Sequence, residues 1–213
     1  MKNYDAYIFD FDYTLADATE PVVDSFTYAL EKMNAKKASR QDIINTIGIP
    51  IGESYTILTG DDSENGIELF KKYQKEKSDE ITVENTVFIG EAKSVLQTLK
   101  NRGKKVGIVS SRWGQRINDV FVNLKSRELV DFIIGTEHVQ KYKPNPEGLF
   151  KIIDMMQCTS PLYIGDSYID AEAAQNANID FVGVTTGTTP RAKLESYPNV
   201  AVLDDLKDLL KIG

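Results

Sequence analysis

The sequence predicts an α/β fold: a parallel sheet with helices on both faces, and a small all-helical domain inserted after the first strand. Three observations lead there. From about residue 84 onward, short apolar runs alternate with amphipathic segments, the pattern of strands joined by crossover helices. Residues from about 16 to 82 carry helical periodicity only. Ahead of both lies a short apolar run, Ala6 to Phe9, that ends abruptly in Asp10-Phe11-Asp12-Tyr13-Thr14. In an open α/β sheet, ligands bind at such a strand end.

Taken in order, Ala6 to Phe9 reads as a buried strand. After Leu15 the pattern turns helical. Pro21 suits a first helical turn, and Val22, Val23, Phe26, Ala29, Leu30 and Met33 recur at helical spacing. The polar stretch 34–39 breaks this helix. Ser39-Arg40-Gln41-Asp42 is an N-cap signal ahead of Ile43, Ile44 and Ile47. Residues 48–52 form a Gly/Pro turn, 53–58 a short helix, and 65–81 a charged surface helix. Beyond it, helices are expected over 92–99, 113–124, 146–156 and 169–176. Strands are expected over 106–109, 132–134, 162–164, 181–184 and 200–203, with a last helix over 204–210. The core domain is therefore expected at 1–15 and 83–213, and the helical domain at 16–82.

Composition narrows the function. The 213 residues carry a formal charge of −7, which argues against nucleic acid or an anionic membrane as partner. No apolar run reaches the roughly 20 residues of a membrane helix. The N-terminus enters a charged, strand-like segment at once, so no signal peptide is expected. A single cysteine, Cys158, excludes an internal disulfide and fits a reducing, cytoplasmic setting, where it serves as a small buried apolar group. The one histidine, His138, has no metal-ligand neighbour and reads as a surface residue. No GxGxxG follows a strand, so dinucleotide binding has no support. In so acidic a chain, an anionic substrate needs local positive charge or a metal.

The strand ends carry the chemistry. In an extended backbone, residues i and i+2 face the same side, so Asp10 and Asp12 are expected to share one space. Two carboxylates held together call for a shared proton or a divalent cation. The strand over 106–109 ends in Ser110-Ser111-Arg112, and that over 162–164 in Gly165-Asp166-Ser167, with Asp170 one turn on. Lys143-Pro144 follows the strand over 132–134. Singly, each has a plain reading: the serines as punctuation, Lys143 as a solvated charge, Asp166 as an N-cap, Asp170 as a first-turn acid. Arg112 reads equally as a substrate contact or a solvated charge. The hydroxyl-rich segment 185–189 reads as a polar loop or as a segment closing the site. Together they are the parts of a phosphoryl-transfer site, with an Asp nucleophile, a metal, a lysine charge and a second carboxylate moving protons.

The set Asp10-Phe11-Asp12-Tyr13-Thr14, Ser110, Lys143-Pro144 and Gly165-Asp166-Ser167-Tyr168-Ile169-Asp170 resembles the haloacid dehalogenase (HAD) superfamily. The helical insert resembles the cap of its phosphoglycolate phosphatase-like branch. The resemblance implies a Rossmannoid core and Mg²⁺-dependent hydrolysis of a small phosphate monoester through an aspartyl-phosphate. It implies Asp10 as nucleophile and Asp12 as general acid/base. Asp10, the backbone carbonyl of Asp12, and Asp166 would ligate Mg²⁺, with Asp170 supporting from behind. Ser110 and Lys143 would bind the phosphoryl group, with Thr14, Ser111 and Arg112 also on the substrate side. The partner is then a small phosphorylated metabolite, and the chain a monomer or weak dimer. A β-phosphoglucomutase-like isomerase and a non-catalytic phosphoacceptor or phosphate-binding protein are the competing readings. The family usually has Gly where this chain has Tyr13, so the loop that lets the cap open is expected to be stiffer, or Tyr13 to line the site.

Overall fold

The computed structural model describes residues 2–212. They divide into two compact units, one built from the chain up to Asp17 and from Phe88 onward, the other Ala18–Val87. Strand β1 (Ala6–Phe9) is buried at all four positions, as its unbroken apolar run predicts. A two-residue strand, β2 (Ala16–Asp17), follows before the helical unit begins.

The helical unit contains α1 (Thr19–Lys32), α2 (Arg40–Ile44), α3 (Ile51–Thr59) and α4 (Glu64–Asn85). The buried face of α1 includes Val22, Val23, Phe26, Ala29 and Leu30, the stripe that helical spacing predicts. Ser39 and Asp42 form a capping box at the start of α2, each side chain accepting the other's backbone N–H at 3.1 Å. Phe70 of α4 is fully buried, its ring 5.1 Å from those of Phe26 and Tyr55. Helix α4 runs past the end that periodicity predicts. The residues its later turns bury are Gln74, Ser78 and Thr82, which hydrogen-bond rather than pack as an apolar stripe. Its exposed side carries the pairs Lys71–Glu68, Lys75–Asp79 and Lys77–Glu80, each of small individual weight.

The chain re-enters the core through β3 (Val87–Phe88), which pairs with β2 as a separate two-stranded sheet. There follow α5 (Ala92–Asn101), β4 (Lys105–Val109), α6 (Gly114–Asn123), β5 (Phe132–Ile134), α7 (Glu147–Met156) and β6 (Pro161–Gly165). Then come α8 (Tyr168–Ala177), β7 (Asp180–Val184), α9 (Arg191–Glu195) and β8 (Ala201–Leu203). The main sheet has six strands in the order β5-β4-β1-β6-β7-β8, with every pair parallel. Strand order reverses beside β1, and such a switch point opens a crevice at the carboxyl ends of the strands. Register makes the ends level: Phe9 lies opposite Ile108 on one side and Ile164 on the other. Gly107 lets α7 close on the sheet, because a Cβ there would sit 2.6 Å from Ile152 Cδ1.

Further elements differ from the sequence-based expectation, which lacks the short strands β2 and β3. The helix expected over 204–210 is a 3₁₀ turn, Leu206–Lys211. Asp204 is held outside it, accepting from Thr185 Oγ1 at 2.8 Å and Arg191 at 2.7 Å, while Asp205 caps the turn from Lys207 N–H. The short α9 after Pro190 has no apolar stripe, burying Leu194 alone. No helix among the described residues is long and apolar enough to cross a membrane.

Removing the Phe70 ring empties the middle of the helical unit's core. Phe70→Ala is expected to lower stability by about 3–5 kcal/mol, measured by urea denaturation. A loss under about 1 kcal/mol would show that this core is not close-packed.

Candidate active site

Sheet pairing carries one residue past β1: Asp10 N–H donates to Ile164 C=O at 2.8 Å. The backbone then leaves the sheet. Phe11 C=O accepts from both Leu15 and Ala16 N–H, and Tyr13 takes a left-handed conformation at φ 58°. A non-glycine residue there is strained by on the order of 1–3 kcal/mol. Thr186 Oγ1 donates to the Tyr13 carbonyl and helps hold the turn. Asp12 stays near enough to add to the upward push on the Asp10 carboxyl, but the two side chains take different partners.

Lys143 is the partner of Asp10. Its side chain is 6% exposed, and its ammonium lies 2.9 Å from Asp10 Oδ1 and 2.6 Å from Asp170 Oδ1. Burial pulls the Lys143 ammonium's pKa down, but Asp10 and Asp170 outweigh it and raise it well above the ordinary value. The loop that carries Lys143 is pinned at both ends. Glu147 accepts from Gln140 and Lys141 N–H, and Asn176 donates to Pro144 C=O at 2.9 Å. Asp170 is completely engaged: Tyr163 OH donates to Oδ1 at 2.7 Å, and Oδ2 takes the Ser167 hydroxyl and N–H. The first-turn acid reading of Asp170 is therefore also correct, since Ser167 and Asp170 form a capping box.

Asp166 is different. It is buried, and among the described residues its one hydrogen bond from a side chain is a long one from Thr14 Oγ1, 3.3 Å. The loop after β7 closes over it so tightly that any Cβ at Gly187 would overlap its carboxylate. Oxygens of Asp10, Asp166 and Asp170 lie within 4.8 Å of one another. Burial, then Asp170 and Asp10, push Asp166 well above the usual carboxylate range. Burial likewise pushes Asp10 up to about 7, Lys143 offsetting part of that and Asp170 adding to it. Three buried carboxylates with one ammonium among them lack positive charge. Oxygen donors so arranged fit a hard divalent cation.

Asp12 does not join this cluster. Arg112 grips both its oxygens, Nε to Oδ2 at 3.0 Å and Nη2 to Oδ1 at 2.7 Å. The solvated reading of Arg112 is thus wrong: its side chain is 13% exposed and stands over the Phe11 ring. Nothing in the local sequence signals this pair, which joins residues 100 positions apart. Ser110 Oγ accepts from Arg112 N–H at 3.2 Å. Ser111 Oγ is buried with no hydrogen-bond partner among the described residues, and Ser111 lines a small cavity with Ser110, Tyr142, Lys143 and Asn145. Thr14 turns its hydroxyl to Asp166. His138 is an exposed residue whose Nδ1 accepts from Gly135 N–H at 3.0 Å.

The raised Asp10 pKa has a sign. Its folded value, about 7, lies above its unfolded value, so ionising Asp10 costs stability, increasingly from about pH 4 to pH 7 and constantly above that. A cation that needs the ionised form must displace the proton below pH 7. The rise in Tm given by a fixed excess of a divalent cation is therefore expected to be larger at pH 8 than at pH 6, read by scanning calorimetry. An equal rise at both would contradict the coupling.

Comparison with known proteins agrees with this geometry. The family model for haloacid dehalogenase-like hydrolases matches residues 7–184. The chain is 29% identical over 208 residues to a pyrophosphatase, PpaX, of Bacillus mycoides (strain KBAB4), covering 96% of this chain and 94% of that one. It superposes with a TM-score of 0.93 on the crystal structure of a haloacid dehalogenase-like protein of Bacteroides fragilis, at 35% identity over 97% of this chain and all of that one. A predicted phosphoglycolate phosphatase of Haemophilus somnus shares the fold, with a TM-score of 0.89 at 22% identity over 100% of this chain and 99% of that one. With a parallel sheet that gathers Asp10, Lys143, Asp166 and Asp170 at its carboxyl edge, the chain belongs to the haloacid dehalogenase-like hydrolase family and has the active-site architecture of a HAD-type phosphatase.

Proposed function

We propose that the chain is a Mg²⁺-dependent phosphatase that hydrolyses a small phosphate monoester through an aspartyl-phosphate on Asp10. The observation that carries this reading is Asp166, a buried carboxylate beside Asp10 with no cation of its own. Asp10 and Asp166, with the backbone carbonyl of Asp12, would hold Mg²⁺. Bound there, the ion supplies the positive charge that a phosphoryl group needs beside carboxylates.

The chain's own groups do the rest. Lys143 keeps Asp10 oriented through its 2.9 Å contact and adds a point charge for the incoming phosphoryl oxygens. Asp170 and Tyr163 fix Lys143 from behind. Ser110 and Ser111 offer hydroxyls to the phosphoryl group, and the unpartnered Ser111 Oγ suits such a ligand. An Asp10 oxygen attacks phosphorus as the bond to the leaving oxygen breaks, and Asp12 delivers a proton to that oxygen. Asp12 then takes a proton from the water that opens the aspartyl-phosphate. The helical unit, Ala18–Val87, serves as the cap that chooses the substrate. The Bacillus relatives are named pyrophosphatases, so pyrophosphate belongs beside 2-phosphoglycolate, sugar phosphates and nucleotides in the first panel.

Chelation with EDTA is expected to abolish phosphate release, and Mg²⁺ to restore it; full activity without metal would contradict the reading. The two aspartates separate under quenched flow with labelled substrate. Asp10→Asn forms no phosphoenzyme. Asp12→Asn loses on the order of 10²–10⁴-fold in turnover, less in the first step with a p-nitrophenolate leaving group. Equal loss of phosphoenzyme formation in both, whatever the leaving group, would overturn this division of labour.

A further inference from the structure

Arg112 makes contacts that proton transfer by Asp12 does not require. Its side chain ends in the fork on Asp12, and its N–H rests on Ser110 Oγ. One residue therefore joins the phosphoryl-binding hydroxyl to the acid beside the leaving oxygen. The guanidinium is buried over the Phe11 ring, so its position is held by packing as well as by charge.

That fork stands in the way of chemistry as well as beside it. Asp12 accepts from Arg112 at both oxygens; each keeps a second lone pair, but turning one toward the leaving oxygen draws it out of line with the fork. A guanidinium released from a carboxylate in a buried place needs another planar or tetrahedral oxyanion. Lys143, held by Asp10, Asp170 and Tyr163, gives its charge to the phosphoryl group and is not the cation for a charge on the leaving group. The transferring phosphoryl group is met by Ser110 and Lys143 in the proposed function, which leaves a charge on the leaving group as the second oxyanion that can come beside Arg112 and Asp12.

We infer that Arg112 is a specificity residue that exchanges its bidentate pair with Asp12 for one with an anionic group on the leaving group, a carboxylate or a second phosphate, and so frees Asp12 to act. The inference rests on the phosphatase reading and adds the substrate class to it. The covalent step keeps its balance. Asp10 gains the bond to phosphorus, and the leaving oxygen keeps the electron pair of the broken bond. That oxygen receives the Asp12 proton where it is basic enough to need one. Arg112 pairs with the adjoining oxyanion and forms no covalent bond. Substrates with neutral leaving groups leave Arg112 on Asp12 and turn over slowly.

The test compares substrates matched in leaving-group basicity, with Mg²⁺ present: 2-phosphoglycolate against ethylene glycol monophosphate, and pyrophosphate against p-nitrophenyl phosphate. The wild type is expected to prefer the anionic member of at least one pair in kcat/KM, and the pair that shows it identifies carboxylate or phosphate. Arg112→Lys keeps the charge but not the fork. It is expected to lose about 30-fold or more of that preference, the equivalent of about 2 kcal/mol. If Arg112→Lys does not fold, Arg112→Gln is measured in the same way. Wild-type activity on both members of each pair without preference would overturn the inference, whatever the variants do. So would an equal loss on anionic and neutral members in the variant. Activity on none of these or of other phosphate esters would instead overturn the phosphatase reading itself.

Discussion

One buried ammonium, Lys143, lies between two buried carboxylates, and the core depends on how that arrangement is closed. Charges taken out of water cost several kcal/mol each after relaxation, and a pair recovers this only with good geometry and full hydrogen bonding. Asp170 has that geometry, with Lys143, Tyr163 and Ser167 all directed at it. Asp10 has half of it, and Asp166 very little. The cluster is thus graded from satisfied to unsatisfied, and the unsatisfied end opens at the carboxyl edge of the sheet. A fold selected for stability alone would not bury Asp166 this way. A fold built to hold a cation and a phosphoryl group would.

The rest of the core serves this placement. Level strand ends set Asp10 between Ser110 and Asp166 without help from loops. The glycine at 187 brings backbone onto the Asp166 carboxylate, and Glu147 and Asn176 pin the loop that carries Lys143. Such second contacts keep charged side chains within the small tolerances that transition-state stabilisation needs. Asp12, just ahead of the left-handed Tyr13, is held by Arg112, while Asp10 is held by Lys143. Two neighbouring carboxylates are thereby placed in two different electrostatic settings, the condition under which they can do different work.

Much of this is legible in the sequence, for physical reasons that also mark the limit. A parallel sheet delivers all its strand ends to one edge, so the residues that follow the apolar runs can be grouped from their order in the chain. Asp10, Ser110, Lys143, Asp166 and Asp170 fall together for that reason. Helix caps are legible too, since Ser39 and Asp42 interact three residues apart. Contacts set by turn geometry are not. Asp12 is gripped by Arg112, 100 residues away, and nothing local links the two. Thr14 is expected toward substrate, yet its hydroxyl bonds Asp166. The later turns of α4 bury polar groups, which carry no apolar period to detect.

The central claim is that the unsatisfied carboxylates await a cation. Crystals soaked in Mn²⁺ near pH 8 and read by anomalous scattering test it most directly. The account predicts one strong peak at roughly 2.1 Å from carboxylate oxygens of both Asp10 and Asp166, with Lys143 still paired to Asp170. A map with no peak there, or with the ion held by other residues while Asp166 stays without a ligand, would contradict it.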